Sequence, residues 1–515
     1  MFFELDARVR HPFGTEYLPV RDVLVALDMA LWGPIDQGPH VTQLVLYGLS
    51  VYGLGTLLVR FGMRRDIAWM ATLLWAVHPL HVEAVAWLSE RKGILAGLFV
   101  IASGHAWVRF RDGRSRWWLV LGAIAAVAAV WSKAFAMFAP MVFALWDLLL
   151  LQAGRRRWTT IGVIGGAVFV AAIPVIVVAR DAGVVDGSFE VQPDDRWTAA
   201  IGALGHYVQT MVLSRAPSLS YPIQTAGASV VDLVVGVAAV LASFAVVLVR
   251  GEGRRWRIAI VGWAWILYLP ISHLVTRVHI PVADRFVYLW TLAGCIAAAW
   301  LISLVRSSLR AVLLGALVAL LAIKSVRAER AWTNSYELFA NASATNPGDP
   351  RAAQNLADTL VAMRRTDEAM GVIDRGLAHN MFDPYLLSTK AAMLRSLQDP
   401  RALGIAALAA ATGHASTMWL YAAILLDHGR PAEALTFAEA AARRRPETAE
   451  YASGQVELLV VLGRLHEAET VARTLLARHP SGASHMTLAK VLAKAGRQRE
   501  AALHHAIARQ LGARE

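Results

Sequence analysis

His78-Pro79-Leu80-His81-Val82-Glu83-Ala84-Val85-Ala86-Trp87-Leu88-Ser89-Glu90-Arg91-Lys92 follows directly on an apolar run from Ile67 to Val77. Two histidines, two glutamates, an arginine and a lysine thus stand at the end of a segment apolar enough to enter a bilayer. Ionisable groups at such depth are costly unless they line a wet cavity or do chemistry. His78 precedes a proline and is biased away from helical dihedrals. Pro79 suits the first turn of a new helix. The pattern predicts a span that breaks at His78, then a short helix over 79–90 along the membrane surface. On that helix Glu83, Trp87 and Glu90 share one face at i, i+4 and i+7.

The composition around this stretch fits a membrane protein. The chain has 515 residues, of which 57% are hydrophobic and only 17% charged, and the apolar excess lies in the first 325. Many of the 18 Trp stand near the ends of apolar runs, as in an interfacial aromatic belt. Charges run through Met1–Pro34, so no cleavable signal peptide is expected. The single Cys295 excludes internal disulfides and Cys-based metal sites. The net charge of +12 comes largely from short loops between apolar runs, with no basic patch interleaved with aromatics in a soluble module. That argues against nucleic acid as a partner.

Ten spans are expected, at 43–60, 66–84, 92–109, 117–133, 135–151, 158–179, 229–249, 256–273, 285–305 and 309–325. Arg60 to Arg65, Arg109 to Arg116, Arg155 to Arg157, Arg250 to Arg257 and Arg306 to Arg310 make every second loop basic. The positive-inside rule puts all of these in the cytoplasm. Residues 1–42, His78–Lys92, Ser132–Lys133, the loops 180–228 and 273–284 and everything after Lys324 then share the opposite side. Arg196–Leu213, broken by Gly202, Gly205, His206 and Gln209, reads as an amphipathic or re-entrant helix on that side.

Beyond Trp332 the chain turns to Ala, Leu, Arg and Glu at helical spacing. Ala369, Ala402, Ala434, Ala468 and Ala501 recur at intervals of 32 to 34, and Gly429, Gly463 and Gly496 each precede such an alanine by five residues. A small packing residue, a Gly turn and a period near 34 form the tetratricopeptide signature. Five repeats are expected, the second degenerate because Leu397-Gln398-Asp399-Pro400 lacks the Gly. The expected fold is all-α. An outer loop with an amphipathic helix (1–42) precedes a multi-span bundle (43–325), a connector (326–349) and an α-solenoid (350–515).

Three readings fit His78–Lys92: an active or lipid-phosphate-binding surface, a metal site built on His-x-x-His with Glu, or polar caps on an interfacial helix. Lys133, in Trp131-Ser132-Lys133, either binds a phosphate or snorkels to the interface. Asp284-Arg285 is either part of a site or an ion pair at a helix terminus.

Several motifs together resemble one family. They are His78–Lys92; Ala283-Asp284-Arg285-Phe286-Val287-Tyr288-Leu289; Tyr17–Asp22 and Ala26–Gly33; in part His40–Gln43; and Trp332–Phe339 with Asn346-Pro347. From about residue 12 onward the chain resembles the transmembrane-and-TPR O-mannosyltransferases of the GT-C glycosyltransferase superfamily. The resemblance implies a GT-C-like bundle that transfers a hexose, in this family mannose, from a polyprenyl phosphate to Ser or Thr. The reaction would be one inverting displacement, with a carboxylate taking the hydroxyl proton and cations stabilising the departing phosphate. The carboxylates on offer are Asp22, Glu83 and Glu90. The cations are Arg21, Arg91, Lys92, Lys133 and Arg285, with His78, His81, Asp284 and Tyr288 as further substrate-binding residues. No metal ligands are assigned, and a divalent cofactor is left open. The repeats would hold the acceptor polypeptide, or a partner protein, in their groove.

The chain departs from the family in two places. Phe286 replaces a Tyr. The family's first helix and the acidic pair after it are not found: the chain is expected to begin inside that first loop, with Glu4 and Asp6 outside the family context. That keeps open a non-catalytic membrane scaffold built on the repeats, or a lipid-handling subunit of envelope polysaccharide assembly. The Ala- and Arg-rich style points to a bacterial inner membrane with periplasmic repeats.

Overall fold

The computed structural model describes residues 16–33, 37–181, 196–213, 218–251, 253–272, 274 and 282–513. Glu4 and Asp6, the first part of the 1–42 segment and most of the loop 273–284 lie outside them. Every regular element among the described residues is helical. They form two compact units that divide between Thr345 and Asn346.

The first unit contains α1 (Pro19–Trp32), α2 (Gln37–Arg60), α3 (Arg65–Ala76), α4 (Val82–Ala86), α5 (Arg91–Arg111), α6 (Trp117–Val130), α7 (Ala139–Leu150), α8 (Arg155–Asp181), α9 (Arg196–Leu213), α10 (Val230–Leu248), α11 (Arg254–Tyr268), α12 (Leu292–Ser303), α13 (Ser307–Glu329) and α14 (Ser335–Thr345). Five segments are long and apolar enough to cross a membrane: Gln37–Arg60, Leu88–Arg111, Arg155–Arg180, Val230–Leu248 and Ser307–Trp332. The expected spans 66–84 and 285–305 are shorter as helices, 12 residues each in α3 and α12.

Helix ends follow local chemistry. Ser229 and Asp232 cap α10 reciprocally: the Asp232 N–H donates to the Ser229 hydroxyl at 3.1 Å and the Ser229 N–H to the Asp232 carboxylate at 3.0 Å. The core is aromatic. Trp75, Trp107, Trp146 and Tyr288 are fully buried, and the indole N–H groups find acceptors as burial requires. Trp75 donates to Tyr288 O at 3.0 Å and Trp146 to Ala259 O at 2.9 Å. Where α9 crosses α10 the backbones touch. A Cβ on Gly205 would lie 1.8 Å from Asp232 O, and one on Gly236 2.1 Å from Ile201 O. Small residues permit such close crossings between helices. The opposite faces of α10 and α13 leave Val234, Leu241, Phe244, Val312 and Leu320 exposed.

The second unit is five antiparallel helix pairs: α15 (Pro350–Ala362) with α16 (Thr366–His379), α17 (Pro384–Ser396) with α18 (Arg401–Ala411), α19 (Ala415–Asp427) with α20 (Pro431–Arg444), α21 (Ala449–Val461) with α22 (Leu465–Arg478), and α23 (Gly482–Lys494) with α24 (Gln498–Gln510). The recurring alanines Ala369, Ala402, Ala434, Ala468 and Ala501 are all buried, and each sits on the second helix of its pair. The first helix of every pair stops at a left-handed residue: Arg364 (φ 60), Gln398 (φ 55), Gly429 (φ 69), Gly463 (φ 73) and Gly496 (φ 79). The turn is therefore kept even where glycine is missing.

Candidate functional site

The polar stretch after α3 does not form one helix. His78 is extended, and its Nδ1 accepts from the Leu80 N–H at 3.3 Å, capping a 3-10 turn at Pro79–His81. One helical turn, α4, follows. Trp87 is again extended, and a second 3-10 turn, Leu88–Glu90, leads into α5. The helix expected over 79–90 is thus in three pieces. The cause lies 41 residues upstream. The Gln43 amide on α2 donates to Ala84 O at 2.8 Å and Val85 O at 2.7 Å, so carbonyls that would have continued the helix are satisfied elsewhere.

This broken connection holds two carboxylates inside the bundle. Glu83 Oε2 accepts from the Arg285 backbone N–H at 2.8 Å and Oε1 from the guanidinium at 2.5 Å. Glu90 lies between cations, with Lys133 Nζ at 2.8 Å, Arg285 Nε at 3.4 Å and Lys92 Nζ at 3.8 Å. Lys92 also pairs with Glu16 at 2.7 Å, and Arg21 lies 3.6 Å from Glu16. Arg285 further stacks on Trp87, 5.4 Å from the ring centre. Glu83, Glu90, Lys133 and Arg285 are all buried. Lys133 therefore turns inward and does not snorkel. A Cβ on Gly93 would sit 3.4 Å from Lys133 Nζ.

The other candidate residues lie around this cluster in separate settings. Arg91, beside Glu90 in sequence, turns to α1, where it pairs with Asp28 and donates to Pro39 O at 3.1 Å. Asp28 also accepts from Thr42 at 2.8 Å, and Trp32 donates to Thr42 at 3.1 Å. Asp22 bonds its neighbour Arg21 at 2.9 Å, on α1 rather than beside Glu83. His78 Nε2 faces Met211 O at 3.3 Å. His81 lies between the Tyr47 hydroxyl and Thr291 Oγ1, each at 2.9 Å. Tyr288 packs against Trp75 and His81 in that aromatic nest. His78, His81 and Tyr288 thus make polar or aromatic packing contacts and belong to no ion pair among the described residues.

Asp284 and Arg285 are not paired with each other. Asp284 Oδ2 accepts from the Tyr221 hydroxyl at 2.7 Å, while Oδ1 is buried with no hydrogen-bond partner among the described residues. Burial first, and the Glu83 charge second, push the Asp284 carboxyl well above the usual carboxylate range. A neutral carboxyl there can donate from its free oxygen. No group of three or more His, Cys, Asp or Glu side chains able to hold a metal occurs among the described residues.

Sequence reasoning passed over three contributors. Asp28 stood inside the Ala26–Gly33 motif without an assigned role, and Tyr221 belonged to no motif. Asp147, in the apolar α7, anchors a second polar cluster: it accepts from Arg111 at 2.6 Å, Arg157 at 2.7 Å and Trp107 at 2.8 Å. Arg91 and Arg111 open and close α5, so the two clusters stand about 30 Å apart along it.

In the second unit, the first helices of the first three pairs border a common cavity. This cavity, of about 440 Å³, is bordered by α15, α17 and α19, and a second of about 710 Å³ adjoins it through Ala392 and Ser396. The family model described as "Tetratricopeptide repeat" matches residues 327–393. The chain contains tetratricopeptide repeats. Solved structures similar to it include YrrB, a TPR protein with an unusual peptide-binding site, at 16% identity and TM-score 0.29, covering 34% of this chain and 93% of YrrB. MamA from Desulfovibrio magneticus, at 18% identity and TM-score 0.29, covers 32% of this chain and 94% of MamA. A thermophilic TPR protein of Thermus thermophilus, at 22% identity and TM-score 0.26, covers 32% of this chain and 92% of that one. No curated protein matches the chain. Tetratricopeptide repeats are solenoid units with extended binding surfaces, which makes a partner protein or peptide the expected occupant of these cavities.

Proposed function

We propose that the chain is a multi-span membrane transferase that moves a hexose, mannose by family resemblance, from a polyprenyl-phosphate donor to a Ser or Thr hydroxyl. The repeats would hold the acceptor polypeptide, on the periplasmic side of a bacterial inner membrane by loop charge. The observation that carries this reading is the convergence of Lys133, Arg285 and Lys92 on Glu90, beside Glu83. An arriving phosphate would compete with Glu90 for those cations and release its carboxylate. The acceptor oxygen then attacks the anomeric carbon, and the bond from that carbon to the phosphate oxygen breaks with its electron pair going to the phosphate. The proton passes to Glu90, while Lys133 and Arg285 hold the developing phosphate charge. The free oxygen of neutral Asp284 offers a hydrogen bond to the sugar. The exposed apolar faces of α10 and α13 fit a lipid surround.

The test is hexose transfer from a polyprenyl-phosphate donor to a Ser/Thr-rich peptide by the full chain in proteoliposomes. Transfer that Glu90→Gln and Lys133→Met abolish supports the reading. No transfer by the unaltered chain overturns it.

A second reading is a non-catalytic scaffold. The mutual satisfaction of Glu83, Arg285, Glu90 and Lys133, and of Arg91 and Asp28, favours it, because a closed network of this kind can serve as a structural clamp.

A further inference from the structure

We propose that the groove of the first two repeats is selective for an extended polypeptide segment carrying a positively charged side chain, which Asp358 on α15 receives. This rests on the reading that the repeats hold a polypeptide, and it adds which polypeptides they choose.

Asp358 lines the 440 Å³ cavity together with Gln354, Val361, Ser388, Thr389 and Leu420. Val361 and Leu420 supply an apolar wall. Apart from the Gln354 amide, the polar part offers acceptors. Ser388 gives its hydroxyl proton to Pro384 O at 2.7 Å, and Thr389 gives its proton to Tyr385 O at 3.0 Å. Both hydroxyls are left with acceptor capacity only. Asp358 is acceptor-only when ionised and has no ion-pair partner among the described residues. Arg395, in the adjoining cavity, is itself engaged in a two-pronged pair with Asp427 at 2.5 and 3.1 Å. A groove of acceptors with one uncompensated carboxylate is complementary to backbone N–H groups and to a Lys or Arg side chain. It repels a Glu or Asp in the same position.

The experiment uses the full chain in nanodiscs and a positional-scanning library of short peptides built from neutral residues, with Lys, Arg, norleucine or Glu at each position in turn. At one position Lys and Arg should bind about two- to fivefold more tightly than norleucine, the scale of a part-exposed ion pair. Glu should bind more weakly still. The preference should fade as salt rises, because the charge is screened. Asp358→Asn, nearly isosteric on an exposed helix face, should abolish the preference and leave binding of the norleucine peptide unchanged. Bound Lys peptide should also protect a Ser388→Cys variant from thiol labelling. Binding without charge preference, or a preference that survives Asp358→Asn, overturns the proposal and leaves the groove reading standing. Failure of every peptide to bind overturns both.

Discussion

Arg285 grips Glu83 twice from 202 residues away, with its backbone N–H on Oε2 at 2.8 Å and its guanidinium on Oε1 at 2.5 Å. One residue therefore fixes both the position and the orientation of the carboxylate, and ties the connection after α3 to the one before α12. The same guanidinium reaches Glu90 at 3.4 Å, so the two glutamates share a cation. Moving either glutamate disturbs the other.

Removing one partner from this buried pair should cost far more than removing both. Glu83→Gln leaves Arg285, which is 8% exposed, with Glu90 at 3.4 Å as its one paired carboxylate among the described residues. A stranded buried charge typically costs about 3–5 kcal/mol. The double variant Glu83→Gln/Arg285→Met should recover much of that loss. Tryptophan fluorescence during thermal unfolding in detergent reads both. A double variant that loses the sum of the Glu83→Gln and Arg285→Met losses would show that the pair is not coupled.

The left-handed turn in each repeat makes an opposite pair of predictions. Gln398 holds φ 55 and Gly463 holds φ 73. Nothing lies within 4 Å of a Cβ built on Gly463, so only the backbone penalty acts there. Gly463→Ala should destabilise its repeat by roughly 0.5–1 kcal/mol, and Gln398→Gly should stabilise the second repeat by a similar amount. Hydrogen exchange resolved over α17–α18 and α21–α22 measures each change. A stabilising Gly463→Ala would contradict the turn geometry.

The last repeat should loosen in acid. His485 Nδ1 and His504 Nδ1 lie 2.9 Å apart, an arrangement that needs at least one lone pair. Burial first, then the His485 and Arg473 charges, hold His504 below its ordinary value. A histidine depressed in the folded state binds fewer protons folded than unfolded. Its contribution is complete above about pH 6.5 and is lost as the pH falls through and below that value. Exchange protection of α23 and α24 should therefore drop between about pH 7 and 5, and His504→Phe should flatten that dependence. An unchanged slope would remove the pair from the account.

What the sequence disclosed follows from how local each signal was. The repeats were legible because the equivalents of Ala434 mark every period and those of Gly463 mark three of the five, and the burial of those alanines repeats with them. The break at His78 was legible because a residue before proline resists helix. The three-piece path after it was not, since it depends on Gln43 reaching the carbonyls of Ala84 and Val85 from another helix. Lys133 read equally well as a snorkelling residue, because its partner Glu90 is 43 residues away. Asp147 stood alone in an apolar helix, and its arginines, at the end of α5 and the start of α8, fall in basic segments whose charge already had a topological explanation. Periodicity reports which face is buried. It does not report which distant side chain waits there.

Asp284 separates stability from function. Its carboxyl stands well above the usual range because burial and the Glu83 charge disfavour the anion. The folded protein thus keeps a proton that the unfolded chain releases above about pH 3.9. The stability this group contributes is complete below that value and is lost as pH rises through the folded-state value. Asp284→Asn copies the neutral form and keeps an oxygen for the Tyr221 hydroxyl, which bonds the carboxylate at 2.7 Å. It should match the parent's thermal midpoint at low pH and exceed it at high pH. If the free oxygen serves the sugar, the Asn amide can still donate, and transfer should survive with a small change. Asp284→Leu removes the donor and should raise KM by about two- to tenfold, the worth of one hydrogen bond, while leaving kcat nearly intact. A midpoint for Asp284→Asn that falls at neutral pH would mean that the carboxylate is ionised in the folded protein, and that Asp284 belongs to the ionic network of Glu83 and Arg285.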